Sequence, residues 1–87
     1  MNEVVYDKPV SSRKLYIIEY DLEGSYIASL AGSTLFPQVY STTKSADDAR
    51  SFRKEDAKEL VAYFRSKNVF ANMVELEIVT VARIYNE

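Results

Sequence analysis

The chain has 87 residues, of which 47% are hydrophobic and 28% charged, and its formal net charge is −2. This length allows one domain, and the composition is that of a folded protein rather than a disordered one. Because the chain has no cysteine and no histidine, disulfides, thiolate catalysis and cysteine-based zinc sites are excluded, and the commonest general base is missing.

The start of the chain is predicted to be an arm, residues 1–12, followed by a single α+β domain, residues 13–87. Val4–Tyr6 has the composition of a short strand, but Pro9 and Ser11–Ser12 interrupt the pattern. The first residues lack the basic and apolar regions of a signal peptide, so we expect none, and no run of about 20 apolar residues is present. Since small secreted domains usually need disulfides, we expect a cytoplasmic protein without membrane contact.

The next segment predicts a hairpin. Lys14–Tyr20 is apolar on both faces, as is typical of a central strand. Asp21–Gly24 has the residues of a type I turn, and Ser25–Leu30 predicts the returning strand. Thr34–Ser41 is rich in strand-forming residues but contains Pro37, so it is predicted to be an edge strand or an irregular loop.

A helical periodicity predicts the main helix from Lys54 to Lys67. Its apolar residues recur at the i, i+3, i+4 and i+7 spacing of one buried stripe: Ala57, Leu60, Val61 and Phe64. Ser45 and Asp48 have the spacing of a capping box and predict a short helical turn ahead of the helix. Asn68 is predicted to end the helix in the left-handed conformation.

Residues 73–85 alternate as a closing strand. We expect the even-numbered residues, from Val74 to Ile84, to meet the helix. The odd-numbered face is polar at Glu75 and Glu77 and apolar further along. The order β-β-(β)-α-β predicts an antiparallel sheet of three or four strands with one main helix packed on one face.

Several short units resemble those of small uncharacterised phage and prophage proteins, in which a hairpin, a Thr/Asp-rich turn, an Ala-x-x-Phe unit, an acidic helix start and a Val/Ile-rich closing strand follow one another. Here they read Thr42–Ser45, Ala49–Phe52, Lys54–Ala57 and Glu75–Val79. The resemblance implies a phage-encoded accessory protein and no chemistry, because that group carries no common catalytic motif. Pro37 and the longer segment before the helix depart from it.

Tyrosine is abundant, with seven residues. One helix covers only one face of a sheet, so the other face must be solvated, dimerised or docked on a partner. Tyrosine is enriched at interfaces because it combines an apolar ring with a polar tip. The predicted partner-binding patch is Tyr16, Ile18, Tyr20, Val79, Val81 and Tyr85. The alternative is that the arm or the Thr34–Ser41 segment folds over this face.

Charged residues give two further candidate sites. Basic side chains on and before the helix could contact nucleic-acid phosphates or an acidic partner, or form a solvated face with ion pairs: Arg50, Arg53, Lys54, Lys58 and Arg65. Carboxylates could bind a metal or serve as an acid/base pair, or be ordinary strand and helix charges: Glu75 with Glu77, and Asp47 and Asp48 with Glu55 or Asp56.

These observations rank three hypotheses. The first is a non-enzymatic protein-binding module, phage-encoded, that modulates or inhibits a host protein, for example in anti-defence or anti-CRISPR roles. Its partner would be that host protein or a second copy, as a homodimer through the open sheet face. The second is a small nucleic-acid-binding domain using the basic helix face. The third is a small enzyme or metal protein. We predict no cofactor, no metal and no catalytic residue.

Overall fold

A computed structural model describes residues 3–32 and 35–86. Its four strands form one antiparallel sheet in the order β3-β2-β1-β4, so the predicted α+β fold is confirmed, with β1 central. The elements are β1 (Glu3–Tyr20), β2 (Tyr26–Ala31), β3 (Gln38–Thr43), a 3₁₀ turn (Ala46–Asp48), helix α1 (Lys54–Ser66) and β4 (Ala71–Asn86).

β1 and β4 are much longer than the rest of the sheet. They pair from Glu3↔Asn86 to Tyr20↔Ala71, whereas β2 is registered with β1 only at Glu19↔Tyr26. We call described residues 15–76 the head, and the paired segments 3–14 and 77–86 the ribbon. The molecule measures 58 × 23 × 20 Å. Its radius of gyration is 17.6 Å, against about 12 Å for a compact domain of this length.

The predicted break at Pro9 and Ser11–Ser12 is therefore wrong, because β1 runs through these residues without interruption. The register with β4 shifts between Pro9 and Ser11, which makes Val10 an extra residue on β1. Proline is tolerated at bulges and on strands with a free edge, and β1 meets both conditions here. Residues 1 and 2 of the predicted arm lie outside the described residues.

The hairpin and edge-strand predictions are confirmed. Asp21–Gly24 forms the turn between β1 and β2, with positive φ at Asp21 (69°) and Gly24 (79°). β3 begins directly after Pro37 and forms the far edge of the sheet. Thr34 lies outside the described residues.

β1 and β2 separate beyond their shared pair, and the chain ahead of α1 occupies the space between them. The Phe52 amide donates to the Tyr16 carbonyl at 2.7 Å, and the Arg50 amide donates to the Ile27 carbonyl at 2.9 Å. The predicted helical turn before this segment is present, but the Ser45 hydroxyl makes no capping bond with any described residue. The Ser45 carbonyl accepts the Asp48 amide at 3.1 Å instead.

Helix α1 and its buried stripe are as predicted. Ala57, Leu60, Val61 and Phe64 are buried, and Asn68 has a φ of 61° just beyond the helix end. The stripe packs on Ile18, Ile27 and Ala71 to form the core of the head. Without these contacts a helix of this length would be marginal in water.

The helix covers the opposite face of β4 from the one expected. Ala71 and Met73 lie with Ile18 against α1, so the odd-numbered face, not the even-numbered one, meets the helix. Opposite residues of an antiparallel pair share a face, and Ile18 is registered with Met73. The pattern could not separate the faces, because both carry apolar side chains where β1 and β4 enter the head.

Candidate interaction surface

The predicted partner-binding patch is divided by the helix. Ile18 is fully buried in the core, and Tyr16 and Tyr20 are partly buried against it. The Tyr20 ring packs edge-on against Phe64 with centroids 5.0 Å apart. The expectation that these three residues lie on an open face is therefore wrong, because α1 packs on the face they share.

The other half of the patch is exposed. Val79, Val81 and Tyr85 lie on the same face of β4 but beyond the helix, in the ribbon, where their relative exposures are 50%, 48% and 48%. Across the ribbon Val79 faces Ser12 and Val81 faces Pro9. Val79 and Val81 are therefore left uncovered beside each other, and Tyr85 lies further along the same face, beyond Arg83.

The reverse face of the ribbon also carries exposed apolar side chains, with Arg13 and Lys8 beside them. Ile78 and Ile84 are each 37% exposed, and the bulge residue Val10 is 56% exposed. A two-stranded ribbon is at best marginally stable in water without a third strand or a packed element. The ribbon carries exposed apolar side chains on both of its strands.

Segment 34–41 does not cover the sheet through the residues that are described. Leu35, Phe36 and Tyr40 are all strongly exposed. Gly32, with a φ of 84°, begins this connection, and a Cβ there would collide with the Phe36 carbonyl oxygen. The alternative in which this segment seals the open face is thus not what the structure shows.

The predicted carboxylate pair is engaged within the ribbon and its base. The Tyr16 hydroxyl donates to Glu75 Oε1 at 3.1 Å, and Lys14 Nζ lies 3.9 Å from Glu75 Oε2. Lys14 is also directly opposite Glu77. The hydrogen bond to Glu75 raises the pKa of Tyr16, since the phenol is held in its protonated form. The contacts are those of cross-strand charge pairs.

Further acidic residues do not gather into a site in the structure. Asp47 and Asp48 lie exposed in the 3₁₀ turn, Glu55 is exposed at the start of α1, and Asp56 pairs with Arg53. Within residues 3–32 and 35–86 no three acidic side chains are placed to hold a metal ion, and these residues enclose no cavity.

The basic residues are partly engaged. Arg53 Nε is 3.5 Å from Asp56, and Arg50 donates to a β2 carbonyl at 3.2 Å with its guanidinium 5.3 Å from the Phe52 ring centroid. Lys54 and Lys58 are exposed and make no hydrogen bond or ion pair with a described residue. These two are the freely solvated cations of the predicted stripe.

Arg65, the fifth basic residue, belongs to a network at the head end of β4. Its guanidinium donates to the Ala71 carbonyl at 2.9 Å and to the Asn72 side chain at 2.8 Å. Asn72 in turn donates to Glu19 at 3.1 Å, and the Gly24 amide donates to the other oxygen of Glu19 at 2.9 Å. These two donors lower the pKa of Glu19, the Gly24 amide most strongly.

Sequence reasoning assigned the faces of the closing strand but overlooked its edge. β4 is the last strand of the sheet, so along its 16 residues it has a described neighbour on one side only. The sequence carried a signal for this edge, since residues 78–82 are an uncharged run, β-branched except at Ala82, between Glu77 and Arg83.

In the described part of the chain no helix has the length and apolar character needed to cross a membrane. Comparison with protein-family models, with characterised proteins and with solved structures finds no match to this chain. Function must therefore be argued from the head, the ribbon and their exposed surfaces.

Proposed function

We propose that this chain is a non-enzymatic protein-binding module, encoded by a phage and acting as a modulator or inhibitor of a host protein; anti-defence and anti-CRISPR roles belong to this class. The observation that supports it best is the ribbon, which extends from the head with apolar side chains exposed on both faces. The phage origin comes only from the resemblance described above.

The chemistry of the ribbon favours a protein partner. Val79, Val81 and Tyr85 offer two branched aliphatic side chains and an amphipathic ring, which are the groups that anchor protein interfaces. The exposed charges beside them are balanced rather than basic, as in the pair Asp7–Arg83 at 3.9 Å. Phosphate recognition needs an excess of positive charge, so the partner surface is an apolar patch on a folded protein.

A binding role also agrees with the residues available for catalysis. The chain has no histidine or cysteine, and Glu75 already accepts a hydrogen bond from Tyr16 and lies beside Lys14. A general acid or base must be free to reach a substrate proton. These residues leave the exposed apolar area of the ribbon as the feature that supports a role in recognition.

Site-specific photo-crosslinking tests the proposal. A photoreactive residue replaces Val81 in one protein and Glu59, exposed on the helix, in the control, and both are irradiated in bacterial host lysate. We expect one host protein to be crosslinked from Val81 and not from Glu59. The double variant Val79→Thr/Val81→Thr keeps β-branched side chains and should lose capture of the same protein.

Two results would count against this function. One is a ribbon that crosslinks no host protein from position 81. The other is capture that persists at full strength in the threonine double variant while circular dichroism shows an unchanged fold, since the partner would then not be recognised through these side chains.

A further inference from the structure

The outer edge of β4 is an unprotected pairing surface. In an antiparallel strand, alternate residues turn their backbone N–H and C=O groups away from the neighbour, so half of those of β4 point outwards. Proteins usually blunt such edges with proline, a bulge or lysine. β4 has neither proline nor lysine, and both register shifts of the ribbon, at Val4/Tyr6 and Pro9/Ser11, place the extra residue on β1.

The sequence along this edge is complementary to itself. It reads Glu77-Ile78-Val79-Thr80-Val81-Ala82-Arg83, with opposite charges at equal distances from Thr80. A second copy placed antiparallel, with Thr80 opposite Thr80, brings Glu77 opposite Arg83 of the other copy twice. The same register pairs Val79 with Val81 twice and opposes no like charges.

We propose that β4 pairs antiparallel with β4 of a second copy about Thr80, joining the two sheets into one continuous sheet. A two-residue slip would instead place Arg83 against Glu75, which is already engaged by Tyr16 and Lys14, and would leave Glu77 against Val81. The Thr80-centred register is therefore the one the charges favour. Arg83 is free to take part, because its pair with Asp7 is exposed and 3.9 Å long.

The head leaves room for this pairing. In the proposed register the shared edge runs from Val74 to Asn86 on each copy, which allows about 12 intermolecular backbone hydrogen bonds. It stops before Ala71 and Asn72, where the Arg65 side chain already bonds the strand. Because the pairing is two-fold and uses the same edge of both copies, it is isologous and closes at two copies rather than growing into a fibre.

This inference goes beyond the proposed function, since it concerns the edge of the ribbon and not the faces that would receive a host protein. It also relieves the instability of the ribbon. In the proposed dimer, the two ribbons together form a four-stranded sheet in the order β1-β4-β4-β1. Three or more strands are what independent stability requires.

Charge reversal with complementary mixing tests the pairing by analytical ultracentrifugation. We expect the unmodified protein to be a dimer. Glu77→Arg opposes arginine to Arg83 twice and Arg83→Glu opposes glutamate to Glu77 twice, so each should raise the dimer dissociation constant about tenfold or more. An equimolar mixture of the two variants restores both opposite-charge pairs and should form a heterodimer. Glu59→Arg and Lys58→Glu make the same charge changes on the exposed helix and should leave the dimer intact.

A monomeric unmodified protein, or open-ended oligomers, would overturn the proposal. So would a mixture of the two charge variants that stays monomeric, because the effect of each would then be local to its own ribbon, through Lys14 or Asp7. The two proposals fail separately: a monomer that still crosslinks a host protein from Val81 refutes only the dimer, and a dimer that captures nothing refutes only the binding role.

Discussion

The substitution Ile18→Ala tests which face of the sheet is covered by helix α1. Ile18 is fully buried under α1, whereas Val79, on the same side of the sheet, lies beyond the helix and is half exposed. Substituting each of these residues with alanine removes apolar carbon atoms from the same face of the sheet. One of the two positions is covered by α1 and the other is not. The comparison therefore measures what the helix contributes.

The magnitudes follow from burial. Ile18→Ala deletes three fully buried carbons at about 0.8 kcal/mol each, so about 2.4 kcal/mol of transfer free energy is lost. The cavity left behind adds to this, and buried isoleucine-to-alanine changes cost about 2–5 kcal/mol. Val79→Ala deletes two half-exposed carbons and should cost less than about 1 kcal/mol. A domain of this length has a total free energy of unfolding of only about 4–13 kcal/mol.

Urea unfolding followed by circular dichroism gives the free energy of unfolding of each protein by linear extrapolation. All three proteins are compared at one concentration, because self-association makes apparent stability depend on concentration. We expect Ile18→Ala to lower the free energy of unfolding at least twice as much as Val79→Ala. Equal losses, or a loss below about 1 kcal/mol for Ile18→Ala, would show that Ile18 is not under the helix.

Substitutions at four other residues have definite expected outcomes. Gly24→Ala and Gly32→Ala both place a Cβ at positive φ, which costs about 1 kcal/mol. Thermal denaturation should show the larger loss of stability for Gly32→Ala, because the added Cβ meets a backbone carbonyl oxygen there. The pKa of Glu19 is lower in the folded protein than its ordinary value of 4.5, so this carboxylate adds stability above pH 4.5 that is lost as the pH falls through the folded pKa. Glu19→Gln should therefore reduce the loss of unfolding free energy at acid pH, measured by unfolding at a series of pH values. An unchanged pH dependence would contradict this role of Glu19. Arg65→Ala removes two hydrogen bonds at the head end of β4, one of them to Asn72, and should lower the free energy of unfolding by about 1–2 kcal/mol, with Arg65→Lys recovering only part of the loss because lysine cannot make the forked contact.

The elements were predictable where local chemistry decides them. The stripe from Ala57 to Phe64, the stop at Asn68 and the turn ending at Gly24 each follow from periodicity or from the backbone freedom of one residue, and each is found where it was expected. The strand that follows Pro37 also lies at the edge of the sheet, where a missing amide donor is tolerated. In these cases the neighbours in sequence carry the information.

The faces and the ribbon were not predictable, because they depend on partners distant in sequence. Leu15, Ile17 and Ile18 are all apolar, so alternation cannot say which side meets α1; the register of β1 with β4 and the position of Ala71 decide it. Pro9 normally ends a strand inside a sheet, but the ribbon offers a bulge and a free edge that tolerate it. Only the topology shows that β2 leaves β1 so early.

The difference in burial between the head and the ribbon limits the functions that the ribbon can have. The buried hydrophobic residues belong to the head, while residues 7–14 and 77–85 are ordered as strands without comparable burial. Ordering a residue costs about 1–2 kcal/mol of backbone entropy, and one ladder of hydrogen bonds, exchanged against water, returns little of it. Further pairing along β4 in the proposed dimer, or burial of Val79 and Val81 by the proposed partner, would supply stabilisation. The proposed dimer and the proposed host interface would therefore meet the same energetic requirement at two different surfaces. We expect the backbone amides of the ribbon to exchange rapidly in the isolated monomer and slowly in the assembled protein.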